Sequence, residues 1–596
     1  MTGIALLITQ NPTFPKECDF FISNPDTQTL TIDNTTVAFK ADNSCQIGSA
    51  WERYMLLLEG TVYNLADKSD HSHNGCERED ALTPRHILDI LIEKGAQAIH
   101  FLEGSFSLIF VDFKENQCFL ARDKFGLNPL FWSFQGKILR AGTTPDFFDH
   151  AQLNLENLAT LLKLRFLPAP LALVASFSKI EPGEIIQIDL TTGLTRALTA
   201  AKLPKKTAPS SDDSVFATYG ELLSRAIMRQ LPKNPEKKLG LFLSGGLDSS
   251  LLAAMLKKHA KVPFKAFTVG FDDRFDENEI TEAKEIAEFF GIEHHVERMK
   301  FQDFLSTIEE TAKILSEPSG TTSVIPMYHL AKLAATQAEV LFSGQGPDET
   351  GGGYTKYQGE YISSLVPRIL ISLGKALLPM SKIKNETVKR ALYSLSERDD
   401  ISRIVKIETL FDDEEIEKLL GRKEEKAVQV FKDRFKKMNV KSSATSVEKM
   451  MAIDTRLSLP DDLMAYTNNV CSHFGLDCRA PFMDADLVAF VEELKRKDKI
   501  AFRKGKIAHR KFAESLLPAD VINRKKKGFL SPTKTWFSEN NEQLRELLLT
   551  ESFFTEVFNE KEVAKFIHLH QQGYNMEKQL FLLLSIYFWM KHRRSN

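Results

Sequence analysis

Little is in excess in this chain of 596 residues. Its 6 cysteines (Cys18, Cys45, Cys76, Cys118, Cys471, Cys478) are scattered and never fall at Cys-x-x-Cys spacing. That excludes a disulfide framework and a zinc-finger module and fits a reducing cytosol. Neither charge sign dominates: 77 Lys and Arg stand against 80 Asp and Glu, a net charge of −3. No global field marks nucleic acid as the main partner. With 30 glycines, 23 prolines, 43% hydrophobic and 26% charged residues, the chain is neither disordered nor low in complexity. It also lacks a long apolar run. Leu580 to Met590 is too short for the ~20 residues a bilayer requires and reads as a buried helix. Tyr361 to Met380 carries Arg368, Lys375 and two prolines and reads as a packed or surface helix pair. The opening Met-Thr-Gly-Ile-Ala-Leu-Leu-Ile has no basic region and makes a poor secretory leader, so a cytoplasmic location is expected.

At roughly 150 residues per domain the length suits three or four domains, or two large ones. Residues 1 to about 200 hold short β-branched and aromatic runs bounded by turn residues, such as Thr29–Ile32, Phe106–Val111 and Glu184–Ile188, with a helix over Pro84–Lys94. This predicts an α+β layer structure. Lys202–Asp213 is polar, carries Pro and Ser, and reads as a linker. Beyond it, strands at Leu239–Leu243, Phe264–Phe271 and Val340–Phe342 alternate with helices at Ser249–Lys258, Ile280–Phe290 and Pro326–Thr336. Such alternation predicts an α/β, parallel, doubly wound sheet. Residues 355–450 are charged and helical in pattern.

The most informative string is Leu239 to Ser250, which reads strand, Ser244-Gly245-Gly246 turn, helix start. Backbone N–H groups freed by the glycines, with the helix N-terminus behind them, form a concavity suited to phosphate. Ser244 and Ser249 add hydroxyl donors. The spacing is neither G-x-x-x-x-G-K-[ST] nor G-x-G-x-x-G. Taken alone, the turn reads equally as a tight, Ser/Asp-capped corner.

In context the string resembles the pyrophosphate loop of ATP pyrophosphatases, and the chain is similar over nearly its whole length to the asparagine synthetase and β-lactam synthetase group. The resemblance is carried by Phe267–Gly270, Glu282–His295, Glu317-Pro318 through Tyr328, Leu341–Tyr354, Leu459–Asp462, Gly475–Asp484, Gly505-Lys506 with Arg510, and Arg524–Phe529, all in the family's order. It implies a glutamine-amidotransferase-like domain at 1–200 with an Ntn-hydrolase-like αββα sandwich, a linker at 201–213, and an ATP-pyrophosphatase domain at 214–596 with a twisted parallel sheet and a helical insertion at about 355–450. It also implies ATP and Mg²⁺ as cofactors. Asp248 and Asp348 would be the magnesium ligands, and Ser244, Gly245, Gly246, Leu247 and Ser249 would hold the phosphates. Phe242, Val269, Ser343 and Gly344 would frame adenine and ribose. Lys526 and Lys506 are the implied catalytic lysines, and Gln345 stands beside them where relatives carry an acid or a tyrosine.

Departures from the family decide what is expected. Where glutamine-using members begin Met-Cys-Gly-Ile, this chain reads Met1-Thr2-Gly3-Ile4. The oxyanion Asn-Gly falls on Glu59-Gly60, the ammonium-binding aspartate on Thr83, and the Arg-His-Arg-Gly-Pro-Asp segment is absent between residues 10 and 50. A carboxylate where an oxyanion must be stabilised argues against glutamine hydrolysis. Gln345 cannot take a proton. Tyr466 and Asn468-Asn469 replace the usual Lys and Asp-Arg, so the acceptor pocket is expected to be rebuilt. His71, His73 and Cys76 have metal-ligand side chains but no fourth partner nearby. The expected function is an ATP-dependent, AMP-forming amide ligase joining a small-molecule or peptide carboxylate to an amine without glutamine hydrolysis, with intramolecular lactam or macrolactam closure and a homodimer left open. An asparagine synthase using glutamine or ammonia and a nucleotide-binding regulatory pseudoenzyme are the alternatives.

Overall fold

The computed structural model describes residues 3–10, 26–32, 35–41, 45–50, 53–65, 82–148, 152–198, 203–204, 211–271, 279–365, 394, 397–526 and 532–595. The N-terminal part is built on two six-stranded antiparallel sheets. One runs in the order Ser178–Lys179, Phe131–Gln135, Ile138–Gly142, Ile4–Thr9, Thr35–Ala41, Gln28–Ile32. The other runs Thr195–Leu198, Ile185–Asp189, Gln117–Arg122, Leu102–Asp112, Tyr54–Leu65, Cys45–Ala50.

Side-chain alternation along the strands creates the layers. Met55 and Leu57 meet Ile4, Leu6 and Ile8 between the sheets. Leu56, Leu58 and Val62 point the other way, onto Ile87, Leu88 and Leu91 of the Pro84–Lys94 helix. That helix starts where the sequence predicts, with Thr83 as its N-cap and Pro84 in its first turn.

In the second part five parallel strands lie in the order Glu293–Met299, Phe264–Phe271, Leu239–Phe242, Val340–Phe342, Asp477–Arg479. Both faces are covered, as parallel sheets require. Leu239, Leu241 and Phe342 pack under the helices Asp212–Gln230 and Leu247–His259. Phe242, Phe267 and Leu341 pack on the opposite face against Val324–Ala335 and the buried C-terminal helix Glu577–Ser595. Strand order reverses about the Leu239–Phe242 strand, so a crevice opens at the carboxyl ends of that strand and of Val340–Phe342, the place where open α/β sheets bind ligands.

Sequence periodicity missed the fifth strand. It has only three residues, and its partner Val340–Phe342 lies far upstream in the chain. The charged region holds helices Thr355–Leu365, Asp400–Glu408, Asp413–Leu420, Ala427–Lys437 and Ser446–Ile453, with no strand among the described residues. Most of the Tyr361–Met380 segment lies outside the described residues. Asp454–Met464 is wound as a π-helix that carries Pro460 within it. Among the described residues no helix is long and apolar enough to cross a membrane.

Buried charge ties the sandwich to the sheet domain. Arg122 and Asp461 meet at 3.3 Å with side chains 1% and 2% exposed. The second Asp461 oxygen accepts the Ala169 N–H at 2.8 Å, and Arg122 also donates to the carbonyls of Asn128 and Ile180 at 2.7 Å each. Asp461→Ala takes the carboxylate away from that buried guanidinium and leaves the Ala169 N–H without its acceptor. Thermal unfolding is expected to show a loss of about 3–5 kcal/mol; a variant as stable as wild type contradicts this role.

Candidate active site

The strand Leu239–Phe242 feeds the Ser244–Gly246 turn, and the helix Leu247–His259 begins at once. Gly245 has φ +68°, and a Cβ placed there would lie 2.3 Å from the Glu282 carbonyl carbon. The turn therefore admits only glycine, because it presses on the start of the Ile280–Phe290 helix. Ser244 and Ser249 hydroxyls lie 3.0 Å apart, and the Gly246 N–H donates to Ser244 Oγ at 3.3 Å. Arg524 donates to the Gly245 carbonyl at 2.9 Å and pairs with Glu285 at 2.5 Å, clamping the turn from outside.

The second loop, after Val340–Phe342, comes so close that a Cβ on Gly344 would sit 3.1 Å from the Ser249 nitrogen. It delivers Asp348 opposite Asp248. Lys506 joins them: its Nζ lies 2.6 Å from Asp248 and 2.7 Å from Asp348, although its side chain is only 6% exposed. Lys526 reaches Asp348 at 2.7 Å from the half-exposed side, its ammonium 4.1 Å above the Tyr354 ring. His509 Nε2 stands 3.1 Å from Asp248, and its Nδ1 contacts the Tyr219 hydroxyl at 2.7 Å.

Burial alone would raise the Asp248 carboxyl, but Lys506 and His509 outweigh it and hold the group well below the usual carboxylate range. Burial would lower Lys506, yet the two aspartates keep it above its ordinary value. His509 is pushed down by burial. Two hard oxygen donors at a glycine turn fit a magnesium ion shared with a polyphosphate, and these are the residues that would hold it. Gly353 makes room for the arrangement, since a Cβ there would fall 1.9 Å from Asp348 Oδ1 and 2.3 Å from Lys506 Cε.

The nucleotide, metal and catalytic-lysine candidates singled out from sequence, with Gln345, converge on one cavity of about 1300 Å³. Phe242, Ser244, Gly245, Gly246, Leu247, Asp248, Ser249, Val269, Ser343, Gly344, Gln345, Asp348, Lys506 and Lys526 all line it. Phe242 and Val269 are also buried in the sheet core, so each serves both packing and wall. Gln345 donates to Thr467 Oγ1 at 3.0 Å. Tyr466 lines the cavity, whereas Asn468 turns away and donates to the Leu127 carbonyl at 2.6 Å. Asn468 is therefore a domain contact rather than part of a rebuilt acceptor pocket.

Sequence reasoning did not single out Tyr354, Glu349, His509 or Tyr219 for a role. The Tyr354 hydroxyl donates to Glu349 at 2.6 Å, and burial with the Asp348 charge pushes Glu349 up to about 7. For Tyr354, the position just after Gly351-Gly352-Gly353 was the available signal.

In the sandwich, Glu59 is buried with an oxygen 3.2 Å from where a Cβ on Gly3 would be, and Thr83 spends its hydroxyl capping a helix. Thr2, His71, His73 and Cys76 lie outside the described residues. Among the described residues no group of three or more His, Cys, Asp or Glu could hold a metal.

A doubly wound sheet with paired carboxylates and lysines over its switch point, joined to a two-sheet sandwich, is the frame of a carbon–nitrogen ligase with an amidotransferase-type domain. The family model described as asparagine synthase matches residues 218–591, and the one described as glutamine amidotransferase domain matches 39–196. The chain belongs to the asparagine synthetase family. It is 26% identical over 517 residues to glutamine-hydrolyzing asparagine synthetase 1 of Bacillus subtilis (strain 168), covering 83% of this chain and 79% of that protein. A putative glutamine-hydrolyzing asparagine synthetase of Mycobacterium tuberculosis (strain ATCC 25618 / H37Rv) is 25% identical over 514 residues, 81% and 76% of the two chains. The Homo sapiens glutamine-hydrolyzing asparagine synthetase is 28% identical over 327 residues, 50% and 54%.

Lys506→Met strips the cation that joins two buried carboxylates. The thermal midpoint is expected to fall and to recover in part on adding millimolar Mg²⁺, with a smaller magnesium response in wild type. Equal responses in both proteins contradict the shared site.

Proposed function

We propose that the chain is an ATP-dependent, AMP-forming amide ligase that activates a carboxylate and couples it to an amine without hydrolysing glutamine. The observation that carries this reading is the junction of Asp248, Asp348, Lys506 and Lys526 over the Ser244–Gly246 turn. In this reading residues 1–200 are an inactive amidotransferase-like domain of the Ntn-hydrolase αββα type. Residues 201–213 link it to an ATP-pyrophosphatase domain at 214–596, with a helical insertion at about 355–450.

The substrate carboxylate oxygen attacks the α-phosphorus of ATP, the bond from that phosphorus to the bridging oxygen breaks, and pyrophosphate leaves. The amine nitrogen then attacks the acyl carbon, the acyl C–O bond breaks, and AMP departs with the electron pair as the amine loses its proton. The turn amides and the Ser244 and Ser249 hydroxyls hold the β- and γ-phosphates. Phe242, Val269, Ser343 and Gly344 frame the nucleoside. Magnesium held by Asp248 and Asp348 would neutralise phosphate charge. Lys526, on the open side, faces the reacting centre, where an ammonium stabilises developing charge, and Lys506 sets the spacing of the two carboxylates. Gln345 offers an amide to the acyl group and takes no proton.

The printed names of the relatives favour a second reading, an asparagine synthase fed by glutamine or ammonia. Against its glutamine branch stand the Glu59 carboxylate in the oxyanion position and the capping role of Thr83.

Incubation with ATP, Mg²⁺, ammonia and a panel of carboxylates is expected to release AMP and pyrophosphate, and Asp248→Ala to lower the rate at least about a thousandfold. Release of ADP instead, or an unchanged rate in the variant, overturns the reading. Glutaminase activity is expected to sit at the same background in wild type and Thr2→Ala; a drop in the variant favours the second reading.

A further inference from the structure

The cavity extends beyond the four charged groups of the junction to a wall formed by the π-helix Asp454–Met464. Such i→i+5 turns are rare and occur frequently at functional sites. Asp454, Ser458 and Asp462, four residues apart, all line the cavity. Asp462 is occupied by Arg165 at 3.3 Å and by the Thr321 hydroxyl at 2.9 Å. Asp454 uses only Oδ2, which meets Lys356 at 2.8 Å and the Tyr357 hydroxyl at 2.6 Å. Among the described residues its Oδ1 has no hydrogen-bond partner, although the residue is 1% exposed. Ser458, 8% exposed, likewise keeps Oγ without a partner among the described residues.

Buried polar atoms of folded chains nearly always have partners, and leaving one without costs free energy. No positive charge is spare at this end, because Lys356 and Arg165 are shared among Glu408, Asp454 and Asp462. An anion is therefore disfavoured. A metal ion is disfavoured too, since no third ligand joins Asp454 among the described residues. A cation bearing N–H donors meets both requirements at once.

We infer that Asp454 and Ser458 form a subsite for a primary ammonium on an aliphatic chain, carried by one of the two substrates. This rests on the amide-ligase reading and deepens it by giving the substrate a second charged end. The subsite lies one tyrosine pair from the reacting loops: Tyr357 holds Asp454, Tyr354 holds Glu349, and their rings are 5.8 Å apart.

The test is calorimetric titration of the full chain with n-pentylamine hydrochloride in the absence of nucleotide. Saturable binding is expected, weakened about tenfold or more in Asp454→Asn and about threefold or more in Ser458→Ala, while Mg-ATP binding is retained in both. Retained ATP binding shows that a variant is folded, and if Asp454→Asn fails to fold then Ser458→Ala decides alone. No saturable binding to wild type, or unchanged affinity in a folded variant, overturns the subsite. Tighter binding of 5-aminopentanoate than of n-pentylamine assigns the ammonium to the carboxylate substrate, and weaker binding assigns it to the amine. No turnover is measured, so failure here leaves the ligase reading to stand or fall on AMP release.

Discussion

Everything at the candidate active site depends on one ammonium held between two carboxylates. Lys506 reaches the site from a third segment of the chain, far in sequence from both Asp248 and Asp348. A buried charge of this kind is tolerable only when fully paired. The surroundings are arranged to allow it. Gly353 leaves space where a side chain would collide with both partners, and a Cβ on Gly505 would lie 2.0 Å from the Gly352 carbonyl oxygen. Lys506 itself has φ +57°, a left-handed backbone that aims its side chain inward. Three loops are fixed by one electrostatic knot, and the sheet beneath supplies the rigidity that holds their roots in register.

Legibility in the sequence followed the range of the interactions involved. The Pro84–Lys94 and Ile280–Phe290 helices and the strands Phe264–Phe271 and Val340–Phe342 were readable to the residue, because local periodicity and capping determine them. The glycine turn was readable because its chemistry is contiguous. The strand Asp477–Arg479 was not, since three residues carry no period and its pairing is a tertiary event. The π-helix was also illegible: Pro460 signals a break, whereas packing holds the segment wound. His509 and Tyr219 stack edge to face beneath Asp248, an arrangement that no spacing along the chain announces.

In the N-terminal sandwich, the residues that stand out in sequence serve capping, packing and the contact with the second domain. Thr83 caps a helix, and Glu59 fills buried space near Gly3. After the strand Gln117–Arg122 comes the buried Asp123, which accepts the N–H groups of Phe106, Phe125 and Leu127. Phe125 and Leu127 pack on Leu459, Met464 and Val488 of the other domain. This segment is where the sandwich touches its neighbour.

The π-helix makes that contact consequential. Asp454 and Ser458 form the cavity wall, while Asp461 is gripped by Arg122 and the Ala169 N–H. The same wide turn thus serves two masters. A gene trimmed to its ligase half would strand Asp461 and uncover Leu459 and Met464, and the wall of the reaction chamber would lose its outer brace. The N-terminal domain is therefore a buttress for the cavity wall, a mechanical duty separate from any chemistry of its own.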